Sequence, residues 1–503
     1  MVTHFVGDQL TQEEVSQTYQ RMQEWRASDG LGPMWEAKKL FDSSWTETFR
    51  TISHMCQRSE TRPDFLIADY LDDAAARDIM HTYNIQIAVV WPQMPPFLAP
   101  VSYIPGEPGL QVDITLTSEH ASLTSRIRNA VGVFRELRAM TTWLKWTRTM
   151  RSEAGMHHLQ IPDKKPHHLV LVNSFFGLEV PKDLPPLMAA VGPLLDEEYP
   201  PLQEPLLTLL NKRKQVLYIS LGTHIFLSTA DLEKLMTSCF LAIDLEYVDG
   251  IVWSLPKLTQ EQFSSLKRFP RMDGSYSLIS DILKASAKVT ASSAILPEIF
   301  ITSWAPQRAV LEHPSTKLSL THAGGSSANE TVFHGVPALT LAFFHDQLFN
   351  AERLRQAGVG LLLDKFTFEP LQVAEAIKHL VCSEEVARNV LRMKKIARRA
   401  ARRKWLAVDL IEEVMEDQIL RFEDDQQREL RPMHLQTADA RMSVWRARNL
   451  DIWAVGLLGV TAVSGFGWLA VRHGVRIVSS LGRHGRLPQV DALSWFRVWT
   501  SGD

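Results

Sequence analysis

Cysteine is scarce in this chain. Its 503 residues hold three, Cys56, Cys239 and Cys382, widely separated and odd in number. That pattern supports neither a disulfide framework nor a cysteine-built zinc site. An excess of one charge is also lacking: 54 Lys and Arg against 57 Asp and Glu leave a formal net charge of -3. Bulk electrostatics therefore make no case for nucleic acid as a partner. Nothing repeats at solenoid length. The opening residues, MVTHFVGDQLTQEE, are polar and helical in pattern and carry no secretory leader. Long uncharged apolar runs reduce to one, 452–471, just long enough to span a bilayer. Trp453 and Trp468 lie near its ends, at the depth interfacial aromatics favour. Arg441, Arg446 and Arg448 precede it and Arg472, Arg476, Arg483 and Arg486 follow, so flanking charge sets no orientation. The competing reading is an apolar helix docked on the protein body.

What is present is an apolar fraction of 45% beside 22% charged residues, suited to two domains plus extras. Short apolar runs at 65–68, 86–90, 169–173, 216–221, 251–254, 299–302, 318–321 and 338–342 read as strands. Helical patterns, including 229–245 and 328–334, fall between them, and the alternation predicts parallel sheets of the α/β class. Pro200, Pro201 and Pro205 mark 200–214 as a linker between one domain at 1–199 and another at 215–385. Basic helices follow at 386–430, with Arg388, Arg392, Lys395, Arg399, Arg402 and Arg403 outside a stripe of Val386, Val390, Met393 and Ala397. Such a run reads first as a solvated face and second, beside an apolar span, as a surface for anionic lipid headgroups. A juxtamembrane linker (431–451), the membrane helix (452–471) and a basic tail (472–503) complete the plan.

The densest chemistry lies in 304–347: WAPQ, then His313-Pro314, LTHAGGSSANE, HGVP and His345-Asp346-Gln347. A buried strand runs into His322, Gly324, Gly325 and Ser326, and a helix opens near Ser327. Glycines let backbone N–H groups approach a ligand, and a helix N-terminus aimed at the same point favours an anion such as a diphosphate.

This run resembles the C-terminal sugar-nucleotide motif of the UDP-glycosyltransferase family, W-x-P-Q … H-x-G-x-x-S-x-x-E … G-x-P … D-Q, with every letter present. The likeness extends upstream to VLYISLGT at 216–223 and more loosely to 169–181. It implies a GT-B fold, two doubly wound Rossmann-like domains facing across a cleft, with donor at the carboxyl ends of the second domain's strands. Trp304 offers a face for uracil; Glu330, expected in the first helical turn, accepts from the ribose hydroxyls, and Gln307 contacts ribose or base. Gly222, Thr223, His322, Gly324, Ser326 and Ser327 surround the diphosphate, and Asp346 with Gln347 reads sugar hydroxyls. Singly, each residue has a plainer reading: Trp304 as core, Glu330 as a helix-dipole acid, Asp346 and Gln347 as a loop.

Family members open with a strand and a Gly-His turn whose His deprotonates the acceptor. The first strand, helix and His are expected to be missing here, while Asp69, ending PDFLIADY, matches the acid that orients that His. His4 and His120 read as a terminal and a loop residue rather than as replacements. No D-x-D motif lies near the nucleotide run, and Asp72-Asp73 reads as a helix start, so neither metal nor cofactor is expected.

The Pro-rich loop 91–109 is expected to wall an acceptor pocket. Phe134, Leu137, Met140, Trp143, Leu144 and Trp146 read as core first and acceptor wall second. The implied enzyme is an inverting transferase moving a sugar, glucose by resemblance, from a UDP-sugar to a small lipophilic acceptor. One alternative is a UDP-sugar binder impaired by the lost base. The other is an epimerase or hydrolase on the same fold. The partners expected are donor, acceptor and membrane lipid. The location is a membrane, the endoplasmic reticulum, with a single pass near the C-terminus and the body in the cytosol. A sequon at Asn329, inside the nucleotide motif, argues mildly for that side.

Overall fold

The computed structural model describes residues 12–26, 28, 30, 32–106, 109–157, 164–223, 225, 227–256, 268–289, 293, 296–344, 346–421 and 432–483. His4, His345 and parts of the two basic segments (422–431 and 484–503) fall outside these residues. The chain divides into a body, Met1–Gln436, and a second unit, Thr437–Asp503.

Two parallel sheets organise the body. The first holds β1 (Phe65–Asp69), β2 (Gln86–Trp91), β3 (Leu169–Val172) and β4 (Met188–Ala190) in sequential order. The second holds β5 (Val216–Ser220), β6 (Gly250–Ser254), β9 (Ile299–Thr302), β10 (Thr316–Thr321), β11 (Ala338–Leu341) and β12 (Gly360–Leu363), in the order β12-β11-β10-β5-β6-β9. A hairpin of β7 (Arg268–Pro270) and β8 (Tyr276–Leu278) stands apart from both sheets. Parallel strands covered by helices on both faces read as continuous apolar runs. β2, β3, β5 and β11 are accordingly buried along most or all of their length.

The eight sequence-predicted strands are all present. β4, β12 and the hairpin were not expected. The second sheet changes direction between β5 and β10, since β6 and β9 extend one side and β11 and β12 the other. Such a switch point opens a crevice at the carboxyl strand ends.

Among the described residues, three α-helices precede β1: Gln12–Gln23, Gly32–Asp42 and Trp45–Cys56. The first two do not belong to the first sheet's core. Met22, Trp25 and Ala37 are buried in the same cluster as Leu217, Ile219 and Leu341 of the second sheet. The predicted linker contains a short helix, Leu206–Asn211, whose Leu206, Leu209 and Leu210 pack beneath β5 and β6. Asp72 and Asp73 lie where a short 3-10 turn passes into the helix Asp73–Tyr83, as the sequence suggested.

The expectation that the apolar residues of 134–146 are core is overturned. They lie on the helix Leu123–Glu153, where Phe134 and Leu137 are exposed and Met140, Trp143, Leu144 and Trp146 are only half-buried. Helical periodicity reports a common face but not what that face meets. In the basic helix Glu384–Ala400, by contrast, Val386, Val390, Met393 and Ala397 are buried as expected.

The second unit contains the helix Leu450–Arg483. Its stretch Leu450–Ser480 is the one helix, among the described residues, long and apolar enough to cross a membrane, and its side chains are exposed.

Candidate functional site

Three strand ends of the second sheet meet at the switch point. β5 runs into Gly222 and Thr223, β10 into His322, Ala323 and Gly324, and β11 towards Asp346 and Gln347. The His322 ring sits between two glycines. A Cβ on Gly324 would lie 2.5 Å from its Nε2, and one on Gly222 would lie 2.9 Å from its Cε1. Gly222 also has φ +78, a conformation that L side chains resist. Ala323 adopts φ 62, turning the chain sharply into the helix Gly325–His334. That helix starts two residues earlier than predicted, so Ser326 and Ser327 occupy its first turn and Glu330 its second. Gly324 at the N-cap offers no side-chain acceptor; Asp346 takes the Gly325 amide, which leaves those of Ser326 and Ser327 to face a ligand.

Half-buried Glu330 is held by Gln307, whose Nε2 donates to Oε2 at 2.6 Å, while Gln307 in turn accepts from the Tyr218 hydroxyl at 3.4 Å. Burial raises the Glu330 pKa, and the Gln307 hydrogen bond and Arg308 oppose the rise. Trp304 is 65% exposed beyond β9, a flat face turned to solvent. The structure thus gathers Gln307, Ser327 and Glu330 into one bonded cluster and leaves Trp304 at its rim.

Asp346 opens the helix Asp346–Gln356. Its Oδ2 accepts from Gly325 N at 3.2 Å and from Asn350 Nδ2 at 3.0 Å. Burial pushes its pKa up to about 6 against the pull of those donors. The buried Gln347 turns its Oε1 back to the N–H groups of Phe343 (2.9 Å) and Phe344 (3.3 Å). Its amide NH2 is the part left to read a hydroxyl.

A cavity of about 1030 Å³ starts at these loops and runs beneath the first sheet's loops. Gly222, His322, Ser327, Asp346 and Gln347 line one end; Trp35, Phe41, Met80 and Trp143 line the other. The predicted wall 91–109 contributes Trp91, Pro92, Met94, Phe97 and Leu98. Phe97 and Ala99 both have positive φ, and Lys182 donates to the carbonyls of Leu98 and Ala99 to hold the loop in shape. Two features of this end carried no sequence signal. The N-terminal helices reach over the cleft, placing Tyr19 5.3 Å from Phe344. Trp143 Nε1 donates to buried Asp42 at 2.8 Å, which also pairs with Lys38.

A buried relay joins the two halves. Met94 N donates to Glu179 Oε1 at 3.1 Å, and Glu179 Oε2 pairs with Arg353 at 3.1 Å. Arg353 Nη1 donates to Asn350 Oδ1 at 2.9 Å, and Asn350 reaches Asp346.

Asp69 does not join the cluster. Exposed at the end of the edge strand β1, its Oδ1 accepts from Leu71 N at 3.0 Å and caps the Tyr70–Asp72 turn. Among the described residues no imidazole bonds this carboxylate. His120 is exposed in the loop before the helix Leu123–Glu153. Asn329 is buried, 2% exposed, and donates to Asn173 O at 2.7 Å. A glycan has no access there, which removes the sequon as an argument about compartment.

The family model described as UDP-glucoronosyl and UDP-glucosyl transferase matches residues 90–419. The chain belongs to this family. UDP-glycosyltransferase stmC of Aspergillus ustus is 42% identical over 485 residues, covering 93% of this chain and 87% of that protein. UDP-glycosyltransferase 1 of Phaeomoniella chlamydospora is 40% identical, covering 86% and 85%. Among solved structures, the glycotransferase of kitacinnamycin superposes with a TM-score of 0.53 at 19% identity, covering 75% of this chain and 82% of that one. The fold is that of a GT-B glycosyltransferase with two parallel α/β sheets, and the enzyme is a UDP-glycosyltransferase acting from a UDP-sugar. The matched residues take in the last two residues of β2, the whole relay and the cluster around His322 and Glu330.

Proposed function

We propose that this UDP-glycosyltransferase transfers glucose from UDP-glucose, with inversion, to a hydroxyl of a small lipophilic acceptor. The observation that carries the reading is the cavity itself, polar where it meets the phosphate loop and walled beyond by Trp35, Phe41, Met80 and Trp143, with Lys38, Arg77, His81 and His168 among them. Pockets of this size and lining enclose most of a small apolar ligand.

In this reading uracil stacks on Trp304, and Glu330, oriented by Gln307, accepts from the ribose. Gly222, Thr223, Gly324, Ser326, Ser327 and His322 surround the diphosphate. Asp346 and the Gln347 amide hold the sugar hydroxyls. The acceptor oxygen attacks the anomeric carbon from the face opposite UDP, and the bond to the diphosphate breaks. First-turn amides of the helix Gly325–His334 meet the charge that develops on the leaving oxygen. Holding both substrates across one cavity removes much of the entropic barrier. The acceptor proton needs a base; the family's imidazole, oriented by the acid that Asp69 matches, has no counterpart bonded to Asp69 among the described residues. We further read 1–199 as the acceptor domain, 215–385 as the donor domain, and Leu450–Ser480 as a single-pass tether in the endoplasmic reticulum membrane, with the body in the cytosol.

The test is UDP-glucose turnover with a panel of lipophilic alcohols, beside a Glu330→Ala variant and a binding titration. Glucoside formation that Glu330→Ala removes supports the reading. UDP-glucose binding without product would leave a donor binder and sink the transfer to these acceptors. Turnover with another UDP-sugar alone would overturn the choice of glucose.

A further inference from the structure

The helix Leu123–Glu153 has two working faces. Its inner face carries Trp143, which stands 5.3 Å from Trp35 and walls the cavity with it. Its outer face carries Leu123, Ile127, Val131, Phe134 and Leu137, exposed by 69, 53, 47, 70 and 42%. Steps of four, four, three and three place these five on one stripe, about 20 Å long at 1.5 Å per residue. A contiguous stripe of large apolar side chains facing water is unusual on a soluble body and marks an interaction surface.

Arginine dominates its surroundings. Arg126, Arg128, Arg135 and Arg138 lie among and beside the apolar positions, and Lys145 and Arg148 extend the exposed basic surface. The nearest acid on the helix, Glu136, turns towards the body, its Oε1 2.6 Å from where a Gly30 Cβ would stand. Apolar residues rimmed by cations are the pattern of a helix lying in a membrane interface. The same chain carries a helix of bilayer length, so lipid is present at high local concentration once that helix inserts.

We propose that the outer face of Leu123–Leu137 rests in the headgroup layer of an anionic phospholipid bilayer. The inner face of the same helix then holds the cavity wall beside the lipid, where a lipophilic acceptor concentrates. That last step rests on the acceptor reading above; the membrane contact does not.

The test uses the full chain in nanodiscs of phosphatidylcholine, alone or with roughly 30% phosphatidylserine. Cys56 and Cys239 are buried and Cys382 is exposed. A Cys382→Ser background with Phe134→Cys therefore takes an environment-sensitive dye at one site, and Met272→Cys, 61% exposed on the hairpin, serves as control. The expected result is a blue shift at position 134, quenched by brominated lipid, stronger in anionic discs and reversed by salt, with position 272 unchanged. Each of Arg126→Gln and Arg138→Gln should weaken the anionic-lipid effect about five-fold. Equal responses at 134 and 272 would overturn the proposal. So would a blue shift that follows protein copies per disc and ignores the quencher, which assigns the stripe to a second copy. Ile127→Asp with Phe134→Asp should raise the KM several-fold for an acceptor presented in vesicles and leave the KM for UDP-sugar alone. Quenching at 134 without any glucosylation would uphold the membrane contact and sink only the acceptor reading.

Discussion

The two sheets are finished differently. The second has six strands with central β5 and β10 buried nearly throughout, and its loops close on one another through His322, Gly222 and Gly324. The first has four strands and ends at β1, where Ile67 is 59% exposed and Asp69 caps its own chain. The side proposed for the donor is a preformed socket, most of it from the stretch Trp304 to Gln347 and the rest from the end of β5 at Gly222 and Thr223. The side proposed for the acceptor is assembled from distant pieces: the helix Gly32–Asp42, the loop after β2 and the helix Leu123–Glu153. A site that recognises one fixed nucleotide gains from rigidity, whereas a wall of large side chains from several elements is free to vary its ligand.

The largest break in that comparison is expected from Gly324→Val. Its side chain would enter the space of the His322 ring, and UDP affinity should fall about 100-fold or more by calorimetry. Phe41→Ala, at the far end of the cavity, should leave UDP affinity unchanged and raise the acceptor KM about ten-fold. For stability rather than binding, the largest loss is expected from Arg353→Met, which strands the buried Glu179 carboxylate and should cost about 3–5 kcal/mol in urea unfolding. Adding Glu179→Gln should recover part of that loss.

Asp346 sharpens the comparison through pH. Its pKa rises from the ordinary value near 3.8 to about 6 on folding. Between those values the folded protein keeps a proton that the unfolded chain releases, so stability falls as pH climbs through the window and stays lower above it. Asp346→Asn should therefore unfold at higher urea than the parent at pH 7.5, by on the order of 1–2 kcal/mol. The gain should shrink towards zero near pH 4, while transfer is impaired at both. A gain that grows as pH falls would contradict the assignment. The smallest effect belongs to the open edge: Ile67→Thr should change stability by less than about 0.5 kcal/mol.

This difference also explains what the sequence could tell. The candidate residues from Trp304 to Gln347 lie in one run, so strand, loop and helix start are legible together. Even so, Glu330 sits one turn later than expected, because the helix already opens at Gly325. β12 was missed because its leucines carry no β-branched signal, and β4 because three residues set no alternation. Acceptor-side partners have no local pattern to read: Tyr19 meets Phe344, and Asp42 meets Trp143, across long separations in the chain. The helix Leu123–Glu153 shows the limit most clearly. Its apolar spacing was visible, but only the packing shows that the Phe134 side faces out while Trp143 faces in.

The relay from Met94 through Glu179, Arg353 and Asn350 to Asp346 has a thermodynamic consequence. In the function proposed above, it ties the loop that would meet the acceptor to Asp346, the acid that would meet the sugar. Whatever UDP-sugar does to the loop's preferred arrangement, an acceptor settling against that loop does in return to the donor's affinity, by the same factor. The relay thus predicts mutual coupling of donor and acceptor, and breaking it with Arg353→Met should make their titrations independent.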